Sequence, residues 1–178
     1  MEKSSVPTIY LVIPGETTKK LNPALTEKGE KQIRRAREKI KNEDCRLPEK
    51  FNYVVSGEGK RHLKTSKIIW KEPGITPLIG TKGIIVRDII KKTITFSSEE
   101  KSVPLIDYII SQDKERLFEK IWKFIKKILD KGRGNILLVG DPMVIKCISG
   151  HYSEPGDVFR ITQTFGEVEV NKIKNKAL

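Results

Sequence analysis

Ile9–Lys20, IYLVIPGETTKK, is the stretch on which the reading of the whole chain turns. An apolar run ends at Pro14 and Gly15, and Glu16, Thr17 and Thr18 follow at once. Bounded by Pro7 and Pro14, the segment Thr8–Ile13 reads as a short buried strand. A strand that stops in this way delivers its turn to wherever a pocket lies. Yet Ile13 and Pro14, at the point of delivery, carry no nucleophile, base or ligand atom.

Outward from that strand, LNPALTEKGEKQIRRAREKIKN turns helical. Thr26 is placed to cap the start, Glu27 and Glu30 suit the positive end, and Ile33, Ala36 and Ile40 recur at helical spacing. A second strand, Phe51–Val55, runs into the glycine loop Ser56-Gly57-Glu58-Gly59. KRHLKTSKIIWKE then forms a helix closed by Pro73-Gly74. The middle, from Ile75 to Ile110, mixes β-branched runs with glycines and is read as strands and loops. Lys114–Lys131 is an amphipathic helix with Leu117, Ile121, Phe124, Ile125, Ile128 and Leu129 on one face. NILLVGDPMVIKCISG is again strand, loop, helix. Two alternating runs follow, a hairpin or neighbouring strands around Phe165-Gly166, and then a basic tail, Lys172–Leu178, expected to fray.

This alternation predicts an α/β fold: three layers, a mostly parallel sheet with helices on both faces. No repeat or linker interrupts it, so residues 1–178 form one domain with a short basic C-terminal tail. Three loops leave strand carboxyl ends, at Ile13–Glu16, Ser56–Gly59 and Gly140–Pro142. In such sheets that is where a site sits.

Composition narrows the class. Hydrophobic residues make up 37% and charged residues 33%, the balance of a globular chain and not of a disordered one. No apolar stretch reaches bilayer length and the N-terminus lacks the apolar core of a signal peptide, so no membrane is expected and the location expected is the cytoplasm. Cys45 and Cys147 read as free thiols of a reducing compartment. Neither has a CxxC or histidine partner nearby, and no metal and no cofactor are expected. The net charge of +12 has two readings. One is a surface for nucleic acid or another acidic partner. The other, which is favoured, is the lysine-rich surface of a heat-adapted chain with scarce histidine. Trp70, Trp122 and Phe124 read as core aromatics.

Three segments carry a family resemblance. YLVIPGETTKKLNPALTEKGEKQI resembles the opening of the histidine phosphatase superfamily, the phosphoglycerate-mutase-like proteins, which reads Leu-Val-Arg-His-Gly-Glu-Thr, then Leu-Thr, then Gly and Gln. Leu11, Val12, Gly15, Glu16, Thr17, Leu25, Thr26, Gly29 and Gln32 match. YVVSGEGKRHLKTSKII resembles the family's Ser-Ser-Pro-Leu-x-Arg-x-x-Gln-Thr-Ala segment through Ser56, Arg61 and Thr65. ILLVGDPMVIKCIS resembles its late Val-Val-Ser-His-Gly segment.

The departures fall on the chemistry. The resemblance puts Pro14 where the family has its nucleophilic histidine, Ile13 where it has a phosphate-holding arginine, and Asp141 where it has its second histidine. Arg61 alone is kept. The family's acidic proton donor lies in the middle region, where Asp88, Glu99 and Glu100 are candidates without an alignment. The expectation is therefore a catalytically inactive relative with a binding or scaffolding role and an unnamed partner, a protein being one candidate. A hydrolase with rearranged groups and a basic nucleic-acid-binding protein are the alternatives. Gly59, Lys60 and Arg61, at a helix start, are the anion-binding candidates, for phosphate or sulfate near Arg61. His62 is expected to point away from Arg61, since adjacent helical residues do not share a face, and both His62 and His151 read as ordinary surface or cap residues. Arg61 and Asp141 are expected to pair across the former active site. Otherwise Asp141 caps the following helix and Arg61 faces solvent.

Overall fold

The computed structural model describes residues 7–19, 23–45, 47, 51, 53–56, 59–70, 119, 122–123, 125–126, 129–130 and 134–174. Within them, strand β1 (Thr8–Val12) leads to helix α1 (Glu27–Glu43), strand β2 (Tyr53–Ser56) and helix α2 (Lys60–Trp70). Strand β3 (Asn135–Val139), helix α3 (Pro142–Ser149) and the strands β4 (Val158–Thr164) and β5 (Glu167–Lys172) complete the order. The strands join in one sheet, ordered β2-β3-β1-β4-β5. β1 pairs parallel to β3 with Leu11 opposite Leu138, and antiparallel to β4 with Leu11 opposite Phe159. β2 is parallel to β3, and β5 antiparallel to β4. The sheet is thus mixed: four strands share a direction and β4 alone opposes them.

Alternation along the strands splits the core into two halves. Tyr10, Val12, Val54, Leu137, Val139 and Val158 meet Ile33, Ala36 and Ile40 of α1 and Ile68 and Ile69 of α2. On the other face Ile9, Leu11, Ile13, Leu138, Phe159 and Ile161 meet Val144, Ile145 and Ile148 of α3, together with Ile125 and Leu129. Helices therefore cover both faces, the three layers that the alternating pattern implies. Residues 119, 122–123, 125–126 and 129–130 are helical, in line with the amphipathic reading there. Trp122 and Trp70 pack partly buried against the two core halves. The readings of the middle segment, including Asp88, Glu99 and Glu100, and that of Phe124 lie outside the described residues.

Local signals account for the ends of the elements. Thr26 caps α1, its hydroxyl accepting from the Gly29 amide at 3.0 Å. The turn between β4 and β5 is two residues long, with φ 50° at Phe165 and 85° at Gly166. A type I′ hairpin turn, whose twist matches its strands, has both values positive. Phe165 is fully exposed there. The frayed-tail expectation needs correcting at its start. Lys172 ends β5, and Ile173 is buried with its amide donating to the Val158 carbonyl at 2.8 Å. Ile173 falls out of phase with Val168 and Val170, and the other half of the core holds it, whatever the charge around it.

Candidate functional site

Pro14 and Asp141 each lie two residues beyond the paired ends of adjacent parallel strands, Val12 and Val139, and Ser56 of β2 stands opposite Val139. The three expected loops thus leave one edge of the sheet. The first is held from several sides. The Gly156 amide is shared between the Ile13 and Pro14 carbonyls, at 3.1 and 3.3 Å, and the Ile13 amide donates to Asp157 at 2.9 Å. The Glu16 amide donates to the Gln32 side chain at 2.8 Å, while the Thr26 amide donates to the Glu16 carbonyl. Gly15 and Gly29 touch so closely that a Cβ on Gly29 would stand 2.1 Å from the Glu16 carbonyl oxygen. Thr17 bridges to Leu25. Every residue in this clasp belongs to the matched motif or is fastened to it. Ile13 is buried in the apolar core and Pro14 is buried beside it.

The polar part of the site is built on α2 and the start of α3. Arg61 donates from its guanidinium to Asp141 Oδ1 at 2.6 Å, with the side chains 11% and 2% exposed. His62 Nε2 lies 3.1 Å from the same oxygen, and His62 is fully buried. A carboxylate only accepts, so Nε2 carries the proton. Here the sequence reading of His62 as a surface residue pointing away from Arg61 is overturned. Helical side chains tilt toward the helix N-terminus. Arg61 and His62 stand in the first turn of α2, so both lean past its end, where Asp141 waits. Adjacency around the helix axis matters less for a target beyond the tip than for one alongside. His151 is exposed, as expected.

Asp141 occupies the N-cap position of α3, yet its side chain makes no capping bond. Of the two alternatives for it, pairing holds and capping does not. Burial pushes the Asp141 carboxyl up, but the charge and hydrogen bond of His62, followed by those of Arg61, outweigh burial and hold it below the ordinary carboxylate value. The starts of α2 and α3 both meet at this carboxylate, and their positive ends favour its charged form as well. Asp141 Oδ2, His62 Nδ1 and Thr65 Oγ1 are buried without a hydrogen-bond partner among the described residues. Gly59 is buried and Lys60 exposed.

Cys147, inside α3, is buried, and burial pushes its thiol up to about 11. Cys45 is exposed. Among the described residues no group of three or more His, Cys, Asp or Glu is placed to hold a metal ion. Also among them, no helix is long and apolar enough to cross a membrane.

The sheet order, the helices on both faces and a site at the strand carboxyl ends define the class: this is the fold of the histidine phosphatase superfamily. Three solved structures illustrate the likeness. The alpha-ribazole phosphatase of Shigella flexneri superposes with a TM-score of 0.59 at 13% identity, over 94% of this chain and 96% of its own. The mycobacterial glucosyl-3-phosphoglycerate phosphatase in complex with VO3 gives 0.56 at 12%, over 93% and 97%. The protein histidine phosphatase SixA with tungstate gives 0.51 at 12%, over 93% and 96%. At these identities the likeness is one of fold. No protein-family model and no curated protein matches the sequence significantly.

Proposed function

We propose that this chain is a histidine-phosphatase-like domain without phosphatase chemistry, serving a binding or scaffolding role. One observation carries the reading: the buried Arg61 guanidinium is already engaged by the carboxylate of Asp141, 2.6 Å away. Phosphoryl transfer needs a nucleophile and positive groups around the equatorial oxygens. By the resemblance, Pro14 stands at the position of the nucleophile and offers no atom to phosphorylate. Ile13 stands at the first arginine's position, inside an apolar core. Asp141 stands at the second histidine's position and brings negative charge. Two like charges about 4 Å apart repel by roughly 4 kcal/mol at an effective dielectric of 20. Two neighbours of this fold hold the oxyanions VO3 and tungstate. In this chain the carboxylate supplies its own anion to the retained arginine, since the planar guanidinium suits either.

The test is turnover on a panel of phosphate monoesters, with and without added divalent cations. The expected result is no rate above buffer. The contact of His62 with Asp141 supports a second reading, a hydrolase in which Asp141 attacks phosphorus, the Nε2 proton goes to the leaving alkoxide, and water then cleaves the aspartyl phosphate to free phosphate and the carboxylate. Turnover that disappears in both Asp141→Asn and His62→Gln would establish that reading and overturn the first.

A further inference from the structure

Basic residues are dense on two adjacent helices, though not on them alone, since Lys114–Arg133 carries eight Lys and Arg against three acidic residues. α1 and α2, of 17 and 11 residues, lie side by side on one face of the sheet. Together they carry eleven Lys and Arg against four Glu, an excess of seven in a chain of net charge +12. α2 contains no acidic residue. Two of the arginines are not part of the outer surface: Arg61 is engaged by Asp141, and Arg37 is buried with Nε donating to the Ile69 carbonyl at 3.0 Å. The rest face outward. Lys31, Arg34, Arg35 and Lys41 are exposed on α1, and Lys60, Lys64 and Lys67 on α2. On α2 these fall at i, i+4 and i+7, one row along one side. Glu30 bridges the two helices, within 3.6 Å of Arg34 and 3.3 Å of Lys64, so one carboxylate serves two cations. By contrast, β5 presents Glu167 and Glu169.

We propose that this α1–α2 face binds duplex nucleic acid through its phosphates, without reading sequence. α1 is about 25 Å long, and packed helices lie about 8–10 Å apart. The two basic rows thus form a shallow platform matched to a run of backbone phosphates. Single-strand recognition needs aromatic side chains on which bases stack. The exposed large apolar residues among those described are Leu63, Tyr152 and Phe165, of which only Leu63 lies on this face. Trp70 packs partly buried against the core. The occupant indicated is therefore a polyanion held by its backbone. The inference deepens the binding role proposed above and rests on it for that role, but it involves no residue of the Arg61–Asp141 site. Phosphatase turnover would thus overturn the earlier reading alone, and failure to bind nucleic acid would overturn this one alone.

The experiment is fluorescence anisotropy of a short labelled DNA duplex against the full chain. Each neutralised phosphate contributes about 0.9 to the slope of log affinity on log salt, so four contacts weaken binding roughly 100-fold between about 50 and 200 mM. The triple variant Lys31→Glu, Arg35→Glu, Lys67→Glu, its fold checked by circular dichroism, is expected to lose binding and most of that slope. If it does not fold, the same positions changed to Gln should still flatten the slope. Lys123→Glu with Lys126→Glu, exposed cations on the opposite layer, should leave binding within about twofold of wild type on the same salt scale. Equal loss in that control pair, absence of salt-dependent binding, or a preference for single strands or polyglutamate over the duplex would each overturn the proposal.

Discussion

Removing the Asp141 carboxylate should both weaken the fold and open it to anions. In Asp141→Ala, Arg61 and His62 lose the oxygen on which both converge, and a guanidinium only 11% exposed is left without its anion. Breaking a buried ion pair from one side costs about 3–5 kcal/mol. The lower end applies here, because Arg61 engages one oxygen of Asp141 and has a further interaction of its own. At roughly 2–4 °C per kcal/mol for a chain of this size, melting should fall by about 6–12 °C. Asp141→Asn keeps an acceptor for Arg61 and loses the charge, so about half that drop is expected, the value of a charged hydrogen bond being roughly 1.5–3 kcal/mol. The assay is thermal denaturation followed by circular dichroism, with and without inorganic phosphate or tungstate. An anion that fills the vacated place recovers about 2.7 kcal/mol at roughly 100 times its Kd, and wild type should show no such shift. The pH dependence has a definite sign. Asp141 is held below its ordinary value, so its contribution is full above the unfolded carboxylate value, about 3.9, and is lost as pH falls through the lower folded value. The margin of wild type over Asp141→Asn should therefore close only below about pH 4. A variant as stable as wild type, with no response to either anion, would refute the account of the site.

Other positions make independent predictions. Gly29→Ala should destabilise by at least about 3 kcal/mol in urea unfolding, because the new methyl meets the Glu16 carbonyl at 2.1 Å and neither backbone can withdraw from a helix start locked to a turn. Phe165→Asn should stabilise by about 0.5–1 kcal/mol, since the position has φ 50° and the phenyl ring packs on nothing. With a thiol reagent at neutral pH, Cys45 should react at once and Cys147 only on unfolding, as burial places its thiol at about 11.

What the sequence discloses differs from part to part for physical reasons. The strand between Pro7 and Pro14, the Thr26 cap and the Phe165-Gly166 hairpin are set by residues within a few positions of one another, and each is readable in place. The pairing of Arg61 with Asp141 spans 80 positions, and only the family resemblance brought those two together in advance. His62 escaped because helical spacing describes neighbours along a cylinder and says nothing of a target lying off its end. A signal was present all the same: a lone histidine directly after the retained arginine, in a chain with two histidines. The clasp around Gly15 and Gly29 was visible as motif residues but not as a contact, since close backbone approach leaves no trace beyond the glycines themselves.

The place of β1 in the middle of the sheet has a temporal consequence. Synthesised ahead of both of its partners, β1 must wait for Asn135–Val139 and Val158–Thr164. At a synthesis rate of roughly 5–20 residues per second, its apolar edge goes unpaired for several seconds or longer. Pairings so distant along the chain also close slowly. Nascent copies of this protein are therefore most prone to associate with one another while β1 is complete and β3 is still being made. The same delay means that a chain cut before Asn135 would lack both neighbours of its central strand.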